Sequence, residues 1–169
     1  GNIYTVGSFS DTVDFDPGPA SYNLSIAEGG QNTADIFVLK LNGDGNFVWA
    51  KKMGGSHEDV SVSTAIDNTG NVYTIGNFID TVDFDPGPGV YDLVSTNRKS
   101  NSFISKLDAN GNFIWARQLA GGTQWCYAGT LDRFGNIYTT GYFNNTLAFD
   151  LGPGVQNHSA INYDVFISR

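Results

Sequence analysis

Several kinds of residue are scarce in this chain, and each scarcity excludes something. Cysteine occurs once, at Cys126, so no internal disulfide forms, and neither an oxidising nor a reducing compartment is favoured. No Cys/His spacing typical of zinc is present. No run of ~18 apolar residues exists, so no helical membrane span is expected. Positive charge is sparse: 9 Lys and Arg stand against 17 Asp and Glu, for a net charge of −8 and a pI near 4.4. Such a surface repels phosphate backbones, and nucleic acid is not an expected partner. The Gly-x-Ser-x-Gly elbow, the His-Glu-x-x-His helix and the phosphate loop are all missing. Charged residues make up only 15% while 40% are hydrophobic, which argues for a packed core and against a disordered polyelectrolyte.

What is present is repetition. "GNIYTVGSFSDTVDFDPGP" starts at Gly1, "GNVYTIGNFIDTVDFDPGP" at Gly70 and a diverged "GNIYTTGYFNNTLAFDLGP" at Gly135. Spacings of 69 and 65 residues point to propeller blades or solenoid units. Gly1 falls inside a repeat, and Arg169 stands where the earlier copies carry Lys40 and Lys106 and continue, so the chain reads as part of a longer protein.

Each copy holds short runs of period two. In "GNIYTVGSF", Ile3, Thr5 and Phe9 share one face, and Tyr4 and Val6 the other. In "ADIFVLKL", Phe37, Leu39 and Leu41 alternate with Ile36 and Val38. The turns "NGDGN" and "DANGN" follow, where Asp44-Gly45 and Asn110-Gly111 are expected to take positive φ in tight hairpins. The next strands carry Trp49 and Trp115 at one position. "VSVSTAI" and "WCYAGTL" then lead into the next copy. Inner strands apolar on both faces need a neighbour on each side, so the expected fold is all-β: four-stranded antiparallel meanders stacked as β-propeller blades. The predicted limits are 1–59 for a blade lacking its first strand, 60–124 for a complete blade and 125–169 for a blade lacking its last strand, about three blades in all.

The motifs "GNxYxxGxF", "DxFxxKLDxxGNxxWA" and the trailing "GG" resemble the bacterial β-propeller repeats called SBBP repeats, in a variant with "DFDPGPG" inserts. The resemblance implies a propeller and a secreted or cell-surface bacterial address, without implying one chemistry. The missing blades are then expected from the rest of a parent chain or from other chains.

The insert invites three readings. As a turn, Asp16-Pro17-Gly18 and Asp85-Pro86-Gly87 match a type II pattern, and Asp150-Leu151-Gly152 keeps the Asp and Gly. As a calcium site, Asp14 with Asp16, and Asp83 with Asp85, lie two apart in extended chain, so paired carboxylates face one way as hard oxygen ligands. Ala148 breaks the pair in the third copy. As a modification signal, Asp11-Thr12-Val13 and Asp80-Thr81-Val82 resemble a bacterial O-glycosylation acceptor at Thr12 and Thr81, with Asn145 departing from the pattern.

Elsewhere His57-Glu58-Asp59 is the densest titratable cluster and reads as a surface loop. Cys126 reads as a packed side chain, since Ser61 holds its position one copy earlier. The insert and the variable segments 21–33 and 90–100 are expected to form a contact rim. No catalytic residue is expected, no cofactor beyond calcium, and the function is that of a non-enzymatic scaffold or binding module. A carbohydrate-binding propeller, or a piece of a propeller enzyme with its site in other blades, are the alternatives; glycan is accordingly a candidate partner, with Trp125 a candidate groove residue.

Overall fold

The computed structural model describes residues 1–26, 33–95, 98–148 and 157–169. They form β1 (Ile3–Phe9), β2 (Thr12–Asp14), β3 (Asn23–Ser25), β4 (Asp35–Leu41), β5 (Phe47–Gly55), β6 (Val60–Ile66), β7 (Val72–Phe78), β8 (Thr81–Asp83), β9 (Asp92–Val94), β10 (Asn101–Leu107), β11 (Phe113–Gln118), β12 (Ala120–Gly121), β13 (Gln124–Leu131), β14 (Ile137–Ala148) and β15 (Asn157–Ser168). No helix long and apolar enough to cross a membrane occurs among the described residues.

The fold is all-β, with propeller-like antiparallel blades. β1-β4-β5 form the first meander, β6-β7-β10-β11 the second and β13-β14-β15 the third. The period-two pattern explains how they stack. Ile36, Val38, Tyr4 and Val6 turn one face of the first blade onto Val72, Phe103 and Leu107 of the second. Tyr73, Ile75 and Ile104 turn the second blade's far face onto Cys126, Leu131 and Ile137 of the third. Phe37 and Leu39 point the other way and join Phe9, Phe15 and Ala50. The inner strands β7 and β10 of the second blade therefore bury both faces, which removes the polar side an open sheet would need.

Four hairpins share one turn. Asn42, Asp67, Asp108 and Asp132 each accept the N–H groups two and four residues on through Oδ1, at 2.8–3.0 Å. Gly45, Gly70, Gly111 and Gly135 follow at φ of 80–85°. Within these turns the glycine alone takes positive φ; Asp44 and Asn110 do not. The expected pair of left-handed residues is thus a single one, because the Asx side chain closes the first half of the turn and a bulged glycine the second.

The inserts depart most from expectation. β2–β3 and β8–β9 are small hairpins, and in the third copy the insert fuses into the long β14–β15 ladder. β8 also pairs with β5 of the preceding blade, Gly54 opposite Asp83 and Gly55 opposite Val82. β12 pairs in the same way with β14, Ala120 opposite Ala148 and Gly121 opposite Leu147. The first sheet consequently runs β1-β4-β5-β8-β9, and hydrogen bonding crosses the blade limits drawn from sequence. Val82 and Phe84 are fully buried, so the second insert is an inter-blade clasp on one face, while Thr81, Val94 and the tip from Gly87 to Asp92 stay exposed.

The Asp-Pro-Gly tips are not type II turns, because neither Gly18 nor Gly87 has positive φ. Asp16 and Asp85 instead accept the Gly18 and Gly87 N–H groups through Oδ1 at 2.7 and 2.8 Å, and this Asx closure replaces the left-handed glycine.

Candidate functional site

The two blade junctions carry the same polar positions with different chemistry. At the first, Asp35, Lys52 and Asp59 meet; the equivalent residues at the second are Asn101, Gln118 and Gln124. Asp59 N–H donates to Ala34 O at 2.8 Å, and Gln124 N–H to Ser100 O at 3.1 Å, so the backbone frame is shared. Asp35 is fully buried and Lys52 Nζ lies 3.3 Å from its Oδ2. Asp59 is also fully buried, accepting the Gly55 N–H at 2.9 Å and the Ile79 N–H at 3.3 Å. Burial, reinforced by the negative charges of Asp35 and Glu58, overrides those donors and pushes its carboxyl up to about 8. The sequence reading of 57–59 as a surface loop therefore fails at Asp59; its neighbours His57 and Glu58 are the solvent-reaching part. The missed signal was the alignment of Asp59 with an uncharged glutamine, Gln124, at the start of β13 in the next copy. Beside this cluster Asp80 Oδ2 lies 3.8 Å from His57 Nδ1 and 3.2 Å from Arg98 Nε.

The second junction is pinned by Asn77. Its Nδ2 donates to Cys126 O at 3.0 Å, while its Oδ1 accepts the Cys126 N–H at 2.7 Å and the Ser102 hydroxyl at 3.0 Å. Cys126 is buried and its thiol is pushed up by that burial, as a packed cysteine should be. Lys40 and Trp49 of the first blade both donate to Ala109 O in a turn of the second, at 2.7 and 3.2 Å. Trp49 is thus spent on blade packing, and its repeat Trp115 stacks edge-on against Tyr73.

The candidate calcium and modification residues sit in the inserts. Asp14 Oδ1 accepts the N–H groups of Tyr22 and Asp16; Asp83 Oδ1 does the same for Tyr91 and Asp85. The Tyr22 N–H, then that of Asp16, hold the Asp14 carboxyl below the usual carboxylate range. One oxygen of each of Asp14, Asp16, Asp83 and Asp85 is therefore engaged in closing a turn. No group of three or more His, Cys, Asp or Glu side chains converges for a metal among the described residues. Thr12 and Thr81 are exposed, and the Thr12 hydroxyl lies 2.7 Å from that of Ser25 across the hairpin. The residue before each is left-handed: Asp11 at φ 60°, Asp80 at 68° and, in the third copy, Asn145 at 59°. Asp and Asn are the side chains that tolerate this conformation, which accounts for the exchange at Asn145. Asp150-Leu151-Gly152 and parts of the two variable segments lie outside the described residues.

The chain is similar to a WD repeat-containing protein. That relative, an uncharacterized protein of Acanthamoeba polyphaga mimivirus, is 31% identical over 140 residues, 74% of this chain. The chain spans about a tenth of the relative's length. No known family profile matches. The likeness and the fold together make this a repeat protein of β-propeller-like build.

Among the described residues one face of such a blade is left uncovered. On the third sheet Tyr142 lies between Tyr127 and Tyr163, with ring centroids 5.6 and 5.4 Å away. Burial, then the two flanking phenols, push the Tyr142 hydroxyl up. Tyr163, Val165 and Ile167 are 66%, 78% and 81% exposed. They lie on the face that, in the second blade, Tyr73, Ile75 and Ile104 present to the third. Where the second blade has the Asn77–Ser102 clamp, this face has Tyr142 opposite Val165.

Proposed function

We propose that the chain is a non-enzymatic, propeller-type binding module whose contact surface includes the Tyr127–Tyr142–Tyr163 face. The observation that carries this reading is a contiguous row of exposed aromatic and β-branched side chains on a sheet whose opposite face is packed. A patch of this kind marks an interaction surface on a soluble domain, and tyrosine provides rigid contact area with a polar tip. The relative's WD repeats support a protein partner, further blades of a parent chain included. The secreted or surface-exposed scaffold role, with a bacterial source, rests on the resemblance of the repeat motif to SBBP repeats.

The test is site-specific photo-crosslinking from Tyr163 in the producing cell, with Val48 on the first blade as the control position. A discrete protein adduct at Tyr163 and none at Val48 is expected. Absence of any protein adduct at Tyr163, with binding of the purified chain to a glycan array, would replace this reading with the carbohydrate-binding one.

A further inference from the structure

The β2–β3 hairpin is a two-stranded sheet, whereas its counterparts are each joined by a third strand. β8 receives Gly54-Gly55 and the end of β14 receives Ala120-Gly121. The outer edge of β2 has no strand on it among the described residues. Its backbone is set for one. Ile26 N–H donates to Asp11 O at 3.0 Å and Phe15 N–H to Tyr22 O at 2.9 Å, so the alternation of an antiparallel ladder turns Thr12 and Asp14 outward.

The side chains around the edge are set as well. Beside β8, Phe78, Phe84 and Phe103 form a triangle with centroids 5.6, 6.3 and 4.7 Å apart, which packs with Met53. Beside the end of β14, Leu119 packs with Phe143, Leu147 and Phe166. Beside β2, Phe9, Phe15 and Phe37 make the same triangle at 5.3, 6.4 and 4.9 Å, but among the described residues no Met or Leu from an outer strand packs there. Phe9 and Phe15 keep 7% and 8% exposure, whereas Phe78 and Phe84 keep none.

The occupant's sequence is constrained by sterics. A Cβ at Gly55 would overlap the Thr81 carbonyl oxygen, and one at Gly121 would overlap that of Thr146. Thr12 is the equivalent residue on the open edge. We propose that the edge of β2, with the Phe9–Phe15–Phe37 triangle, is a docking site for an extended strand of another blade. That strand ends in Met or Leu, a small residue and then an obligatory glycine. Recognition is β-augmentation with one side-chain pocket and a glycine filter.

The probe is an acetylated peptide of sequence FVWAKKMGG, copied from Phe47–Gly55, titrated into the labelled full chain and followed by amide chemical shifts. Shifts at Thr12, Val13 and Asp14 are expected, with none at Thr81–Asp83, whose edge is already filled. The same peptide carrying Gly55→Ala should bind at least about tenfold more weakly, a loss of about 1.4 kcal/mol; Met53→Ser in the peptide should weaken it too. No shift at Thr12–Asp14 with millimolar peptide, or equal shifts from the Gly55→Ala peptide, would overturn the proposal. Neither result touches the tyrosine face of the third blade, which is a separate surface.

Discussion

Replacing Asp59 with Asn should abolish a stability loss that the folded chain suffers as pH rises. Asp59 titrates near 8 in the folded chain against an ordinary 3.8. Between these values the folded state holds a proton that the unfolded state has released, so stability falls with rising pH across the window. At about 1.4 kcal/mol per pH unit the full window gives an upper limit of about 6 kcal/mol. Water entry and relaxation, equivalent to an effective dielectric nearer 20 than 4, reduce the measurable part to about 2–3 kcal/mol. The neutral Asn101–Gln118–Gln124 set shows that this frame tolerates amides. Asp59→Asn keeps the shape but gives up one of two acceptors, and the Gly55 or Ile79 N–H then loses a partner at a cost of about 1 kcal/mol. The curves should therefore cross: the variant about 1 kcal/mol less stable near pH 4, where Asp59 is protonated in the folded state and still partly so in the unfolded one, and about 1–2 kcal/mol more stable at pH 8. Urea unfolding at half-unit pH steps reads this directly. His57→Gln serves as control, since the imidazole sits beside Asp80 in the same cluster. A parent chain whose stability is flat or rises from pH 5 to 8, or an Asn variant that keeps the parent's slope, would refute the reasoning.

The remaining predictions concern backbone and clasp. Asn77→Ala removes both partners of the Cys126 peptide group across the second junction; a loss of about 2–4 kcal/mol in chemical denaturation is expected, with faster hydrogen exchange at the Cys126 amide. Gly45→Ala forces a Cβ into a left-handed turn position at about 1–2 kcal/mol, and Gly45→Asn should recover part of that; equal losses would show that φ is not the cause. Asp11→Asn should leave the melting temperature nearly unchanged while Asp11→Val lowers stability by about 1–2 kcal/mol, because only the former accepts φ near 60°. Millimolar calcium should leave the melting temperature where it was, since Asp14, Asp16, Asp83 and Asp85 each already commit Oδ1 to a turn N–H; a rise in melting temperature with a calorimetric binding isotherm would decide for the metal reading instead.

Much of the architecture was legible in local spacing. Ile36 and Val38 against Phe37 and Leu39 announce a strand buried on both sides, because a pleated strand sends alternate side chains to opposite faces. The recurrence of Trp49 at Trp115 marks one blade position, and Cys126 is the packed residue its alignment with Ser61 implied. The candidate site was less legible. His57-Glu58-Asp59 looked uniformly solvent-directed, yet Asp59 alone turns inward because its backbone joins Ala34, the residue just before β4. Asp-Pro-Gly looked like a left-handed glycine turn, but side-chain oxygens took over the closing bonds.

The sequence by itself determined the repeat, the all-β character, the turn glycines and which side chains share a face, since these depend on residues within a few positions of one another. Only the tertiary structure decided where the inserts go. Whether β8 folds onto its own blade or reaches back to Gly54-Gly55 depends on which edge lies alongside it after the blades stack. That adjacency is set by packing between distant segments, to which a local periodicity carries no reference.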